Sequence, residues 1–192
     1  MRGTEPYHHW PIRATVYATA MSLAGAATGV VFAAAGAGVE ALWPDARLPL
    51  AAALGVIALA FALHELEFVR LAVPGRDWQV PVEWVRSGYY QSAAVWGVLV
   101  GAGVFTRITY AALPVLLAWL FVSGNVPFGA LAGLTYGATR AASIYLSVTT
   151  HDTEETISLG QRLMGIAPAA HQWVGLALAA FAVYLLAAPY IP

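Results

Sequence analysis

The sequence predicts an all-α fold, a polytopic bundle of transmembrane helices, on three observations. The 192 residues are 60% hydrophobic and only 10% charged, with a mean hydropathy of +0.69, which leaves too little polar surface to wet a soluble domain. Apolar segments long enough to cross a bilayer recur along the whole chain. The arginines crowd on one side of those segments when the crossings are counted as five.

Four segments qualify directly as spans: Ala14 to Glu40, Leu48 to Val69, Pro127 to Thr149 and Pro168 to Ala188. A fifth, Tyr90 to Val122, would be about 48 Å long as one helix rising 1.5 Å per residue. It must tilt, break or make two spans. Two spans with Arg107 in the turn put Arg2, Arg13, Arg70, Arg76 and Arg86 on one side against Arg47, Arg107 and Arg162 on the other. A single crossing puts Arg2, Arg13, Arg70, Arg76, Arg86 and Arg162 against Arg47 alone, with Arg107 and Arg140 inside the membrane.

The second division is the cleaner, because short cytoplasmic loops are enriched in Arg and Lys. It predicts one transmembrane domain over 1–192 with five crossings in the plasma or inner cell membrane. The N-terminal segment 1–13 is cytoplasmic and the C-terminus external. The long helix is expected to be interrupted between Thr106 and Pro114, since Pro114 has no N–H and the freed groups need protein or water to face. Six crossings remain the alternative.

Charge and cysteine content exclude several classes. With no lysine, nine arginines, ten acids and a net charge of −1, there is no basic stripe for nucleic acid. The absence of cysteine removes disulfides, thiolate metal sites and dithiol redox chemistry within the chain. The opening "MRGTEPYHHWPIR" lacks the apolar core and cleavage site of a signal peptide, so the first apolar segment is expected to be retained.

Trp10, Trp43, Trp84, Trp119 and Trp173 fall near the expected helix ends, where an amphipathic ring favours the headgroup layer. Residues 151–166 read as an interhelix loop, or as a short interfacial helix opened by Asp152 and Glu155 with Ile157, Leu159, Leu163 and Met164 dipping into lipid. Small residues four apart recur at Gly25 and Gly29, Gly97 and Gly101, and Gly133 and Gly137, and the first ridge extends through Ala33 and Gly36. Such ridges let helix backbones approach closely. Three of them exceed what one five-helix bundle obviously needs, which suggests other membrane subunits or a second copy as partners beside the lipid bilayer.

Charges inside a membrane mark sites or pairs. Arg107 and Arg140 each follow a threonine, and the nearest counter-charges stand in "HELEF" on the second span. On a continuous helix His64 and Glu67 share a face, while Glu65 points elsewhere. A polar cleft of His64, Glu67, Arg107 and Arg140 would handle a proton, an anion or a partner's carboxylate. The competing reading has Glu65, Glu67 and Arg70 snorkelling at a boundary, with the arginines capped by carbonyls. Haem b or quinone binding through His64, His151 or His171 is the alternative from another class, although no spacing makes a metal site specific. No catalytic triad or phosphate loop is readable, so no enzyme activity is expected.

The stretch "GVLVGAGVFTRITYAALPVLLAWLFVSGNVPFGALAGLTYG" resembles the second-repeat region of the DsbD/CcdA family of membrane thiol-disulfide carriers, related to the LysE-like transporters. Pro114, Val115 and Leu116 match the end of that family's Pro-Cys-x-Gly-Pro-Val-Leu core, and Ala111 stands where its cysteine would be. "SGNVPFGAL" matches the following turn and helix entry, and "LHELEFVRLAVPGR" is similar to the family's third helix and exit. The resemblance implies a broken helix beside Arg107. Without cysteines it also implies that the family's electron relay is absent, and with two spans instead of three before the break, that the first broken helix is missing. On that frame the chain is half of an inverted-repeat site completed by another chain or a second copy. The expected function is therefore that of a membrane-complex subunit or a small-solute carrier.

Overall fold

The computed structural model describes residues 10–72, 83, 88–103, 110–146 and 153–187. Its helices are α1 (Trp10–Leu42), α2 (Arg47–Glu65), α3 (Tyr89–Gly101), α4 (Ala112–Ser123), α5 (Val126–Leu146) and α6 (Thr153–Ala187), and no strand occurs among the described residues. The expected all-α bundle is what the chain forms. Trp10–Leu42, Pro44–Glu65 and Gly160–Ala187 are long and apolar enough to cross a membrane, and Ala112–Ser123 is a shorter apolar helix. These lengths and compositions mark a helical membrane protein.

Packing is led by small residues. The buried stripe of α1 runs Ala14, Met21, Gly25, Gly29, Ala33, Gly36, and α5 lies antiparallel along it. Gly25 meets Gly133, Gly29 meets Gly129, and Gly137 meets Met21 and Ser22. A Cβ at Gly25, Gly29, Gly129 or Gly133 would run into the facing backbone carbonyl, so glycine here permits the close approach that drives helix association in lipid. Trp10 and Tyr145 close the far end edge-to-face at 6.4 Å. Gly97 and Gly101 of α3 press on α1 at Tyr17, Ala20 and Met21 in the same manner. The glycines of all three ridges thus make their close contacts inside the chain.

The long segment is broken, and its two halves rise in one direction. Arg13 of α1 reaches Ser92 at 3.5 Å, Met21 meets Gly101, the Thr28 hydroxyl donates to the Ala102 carbonyl at 3.3 Å, and Gly36 abuts Phe121. Along α1, therefore, α3 and then α4 run parallel to it. The interruption begins earlier than Thr106: α3 stops at Gly101, and Gly103 takes a left-handed φ of 71°. Pro114 does not cause it. It sits in the first turn of α4, where a helix has orphan N–H groups anyway and proline removes one of them.

A second group pairs α2 with α6, also antiparallel, with Gly175 against Leu66 and Gly55 against Leu185 and Leu186. Here α4 is the joint, packing on α1 on one side and on α2 on the other. Its Ala111, Val115 and Val122 share a core with Leu54, Ala58 and Ala62 of α2 and Leu178, Ala182 and Leu185 of α6.

Two expectations about the last third change. The interhelix loop at 151–166 is helical from Thr153 onward, and α6 continues through Pro168 to Ala187. Proline inside a membrane helix forfeits one backbone bond that the surroundings can replace, so it did not have to mark a start. Trp173 then lies well inside α6 and is 73% exposed, while Trp119 packs edge-to-face on Phe181 at 5.3 Å. Trp173 is therefore not at a helix end, whereas Trp119 stands near the C-terminal end of α4.

Candidate functional site

On α2 the positions Leu54, Ala58, Ala62 and Glu65 form one buried stripe, spaced four, four and three. On α6 the stripe His171, Gly175, Leu178, Ala182, Leu185 has the same geometry, with His171 half-buried. Because the helices are antiparallel, the two stripes face each other. Their polar members meet at one level, beside the start of α4.

There Glu65 Oε1 accepts the Ala111 N–H at 2.6 Å, and Oε2 meets His171 Nδ1. Glu65 is 3% exposed and Ala111 fully buried. Ala111 is the N-cap of α4 and offers no side-chain acceptor of its own. Glu65 thus acts as the Glu of a capping box does, bonding the N-cap N–H, but from another helix. The positive end of the α4 dipole also favours a carboxylate at this place. One proton lies between Glu65 and His171: the ring donates it to an ionised carboxylate, or a neutral carboxyl group donates it to the ring. Tyr110 covers the imidazole, ring centroids 4.7 Å apart and tilted by 49°.

Along α4 and α5, with Val174 of α6 at its edge, lies a cleft of about 870 Å³. Tyr110 and Val174 belong to its wall, which joins it to the Glu65 and His171 pair. Most of the lining is apolar, including Leu113, Leu116 and Phe128. Arg140 is also on the wall, its Nη1 donating to the Tyr136 hydroxyl at 2.6 Å.

The sequence-predicted residues are distributed as follows. Arg107 and His151 lie outside the described residues. Arg140 lines the cleft, and Pro114 sits in the first turn of α4. His64 and Glu67 do not share a helix face, because α2 ends at Glu65. The chain closes there in a Schellman turn, with Phe68 N–H donating to Leu63 O at 2.9 Å and Glu67 N–H to His64 O at 3.0 Å. Glu67 holds the left-handed position at φ 64° and is exposed. His64 Nδ1 accepts the Leu71 N–H at 3.1 Å and so stabilises the same turn.

The residue that enters the interior is Glu65, the member of "HELEF" set apart by the spacing argument. Its partner His171 was named only as a haem ligand. The readable signal for Glu65 was its continuation of the apolar stripe Leu54, Ala58, Ala62. Among the described residues, no group of three His, Asp or Glu side chains is placed to hold a metal ion. No family model, no curated protein and no solved structure matches the chain.

Proposed function

We propose that the chain is a proton-coupled carrier of a small solute in the cell membrane, with Glu65 and His171 as its proton-exchanging pair. The observation that carries this is a single buried carboxylate on which three helices converge: α2 supplies it, α4 donates a backbone N–H to it, and α6 presents an imidazole. An ionisable group kept inside a membrane bundle is costly, and such groups mark ion and proton paths. Discontinuous helices place binding sites at their broken ends because unpaired backbone groups are available there. Displacing the proton on the pair would free Glu65 from His171 and loosen the joint between the α2, α6 group and α4.

Support for five crossings comes from the parallel course of α3 and α4 along α1, which makes one passage of the long segment. On that count the arginine split supports a cytoplasmic N-terminus and an external C-terminus. A broken helix in this stretch is also what the resemblance to the DsbD/CcdA-type carriers implies.

The test is a flux measurement. Proteoliposomes carrying an internal pH dye are challenged with fractions of a cellular small-molecule extract. At least one fraction should drive a pH change that requires the protein, and no response from any fraction with folded, inserted protein would contradict the reading. A second reading, a redox-complex anchor, is favoured by one observation: an imidazole backed by a carboxylate beside an apolar cleft suits protonation of a quinone oxygen. A haem b spectrum or a co-purifying quinone would establish it instead.

A further inference from the structure

The cleft along α4 and α5 is apolar over most of its wall, and two of its lining residues, Phe128 and Leu131, are 44% and 65% exposed. On a bundle held in lipid, an apolar rim of that kind opens to acyl chains rather than to water. About two to three turns beyond Phe128 along α5, the same wall carries Tyr136, Thr139 and Arg140.

This polar end offers protons to a ligand, and not a charge. Arg140 Nη1 donates to the Tyr136 hydroxyl at 2.6 Å, its guanidinium stands 5.9 Å from that ring's centroid, and a further contact within the chain engages it. The Thr135 hydroxyl donates to the Leu131 carbonyl at 2.8 Å. Tyr136 differs. Its oxygen accepts from a cation, which makes its own O–H a stronger donor, and that proton has no acceptor among the described residues. The Thr139 hydroxyl, three positions on and so on the same helix face, is likewise without one. Hydroxyl protons left unanswered in an apolar cleft are costly, and a ligand oxygen placed between them removes that cost. The volume, about 870 Å³, falls in the range of pockets that bury one drug-sized ligand.

We infer that this cleft binds a neutral, lipid-soluble molecule with an apolar body and a carbonyl oxygen, the oxygen accepting from Tyr136 and Thr139 and the body lying along Leu116, Phe128 and Leu131. A pure hydrocarbon would leave both hydroxyl protons unanswered. A charged head would give up its hydration to a wall whose single charged side chain, among the described lining residues, is already engaged. The inference deepens the carrier reading by naming its substrate class and rests on it for transport, though not for binding.

The experiment uses the full chain in nanodiscs, with no gradient applied, and a neutral fluorescent naphthyl ketone bearing a lauroyl chain. Energy transfer from tryptophan counts only the probe held by the protein. Methyl palmitate, hexadecane and hexadecylsulfonate compete at equal mole fraction in the lipid. Methyl palmitate should displace the probe about fivefold better than hexadecane, the factor expected of one neutral hydrogen bond, and better than the sulfonate. Its advantage over hexadecane should vanish in Tyr136→Phe and shrink in Thr139→Val, whereas Leu116→Trp should weaken all competitors alike. Equal displacement by ester and hydrocarbon in the unmodified protein would overturn the inference, as would a preference for the sulfonate. A decyl benzoquinone that displaces the probe better than the ester would keep the carbonyl site and give it to the redox reading. Ester binding without proton flux would sink the carrier reading and leave this site standing. Flux with no preference for a carbonyl would do the reverse.

Discussion

Glu65 accepts the backbone N–H of Ala111 at 2.6 Å, so the last residue of α2 caps the half-helix that begins 46 positions later in the chain. A side chain from one helical group thereby completes the backbone bonding of the helix that joins the two groups. Breaking this bond exposes an amide that has no other route to water, because Ala111 is fully buried.

Replacing Glu65 separates its structural role from its ionisable one. Glu65→Leu strands the Ala111 N–H and removes the partner of His171, at a cost of about 1 to 3 kcal/mol for the buried amide. Glu65→Gln keeps an acceptor for Ala111 and should lose less than half as much. Thermal unfolding in detergent reads the difference, since about 1 kcal/mol moves the midpoint of a chain this size by roughly 2 to 4 °C. Equal midpoints for the two variants would show that the amide does not depend on the carboxylate.

The glycines divide into those that are indispensable and those that are not. Gly29→Leu drives a side chain into the Gly129 carbonyl and should cost about 1 to 3 kcal/mol or prevent assembly of the α1 and α5 pair. Gly38→Ala, on the same helix, meets nothing within 4 Å and should stabilise it by up to about 1 kcal/mol through helix propensity. Inserted yield and unfolding midpoint should therefore move in opposite directions.

At Glu67 a backbone conformation suited to glycine is occupied by a charged residue. Glu67→Gly should raise stability by roughly 1 kcal/mol by relieving the left-handed strain, and Glu67→Val should lower it. Both should keep whatever activity the protein has, because Glu67 points away from the buried pair. A Glu67→Gly protein that loses stability would place an unseen contact on that carboxylate.

How much of this was legible follows from what each residue answers to. The glycine ridges of α1, α3 and α5 were readable because their spacing alone brings backbones together; Gly129 completes a series already begun by Gly133 and Gly137. Excess length revealed the break, but not its edge, because the helix already stops at Gly101, ahead of the left-handed Gly103, while Pro114 sits inside the first turn of α4. The choice between Glu65 and Glu67 depended on where α2 stops. No glycine or proline marks that stop, and a left-handed glutamate is a poor signal for one. His171 was masked by taking Pro168 as a helix start, which put it at a boundary instead of inside α6.

Topology can be checked without knowing the solute. Reporter fusions before Arg13 and after Pro192 should report opposite faces of the membrane, the first cytoplasmic. Both on one face would break the five-passage count and require Tyr89–Ser123 to cross differently from α1.

The central claim is that Glu65, and not its neighbours in "HELEF", moves the proton. It is tested most directly by solute-driven proton flux in proteoliposomes of Glu65→Gln, Glu67→Gln and His64→Gln, each matched for folded, inserted protein. The account predicts flux lost in Glu65→Gln and retained within about twofold in the other two, where a twofold change is well under 1 kcal/mol. Flux that survives in Glu65→Gln but disappears in Glu67→Gln or His64→Gln would contradict it.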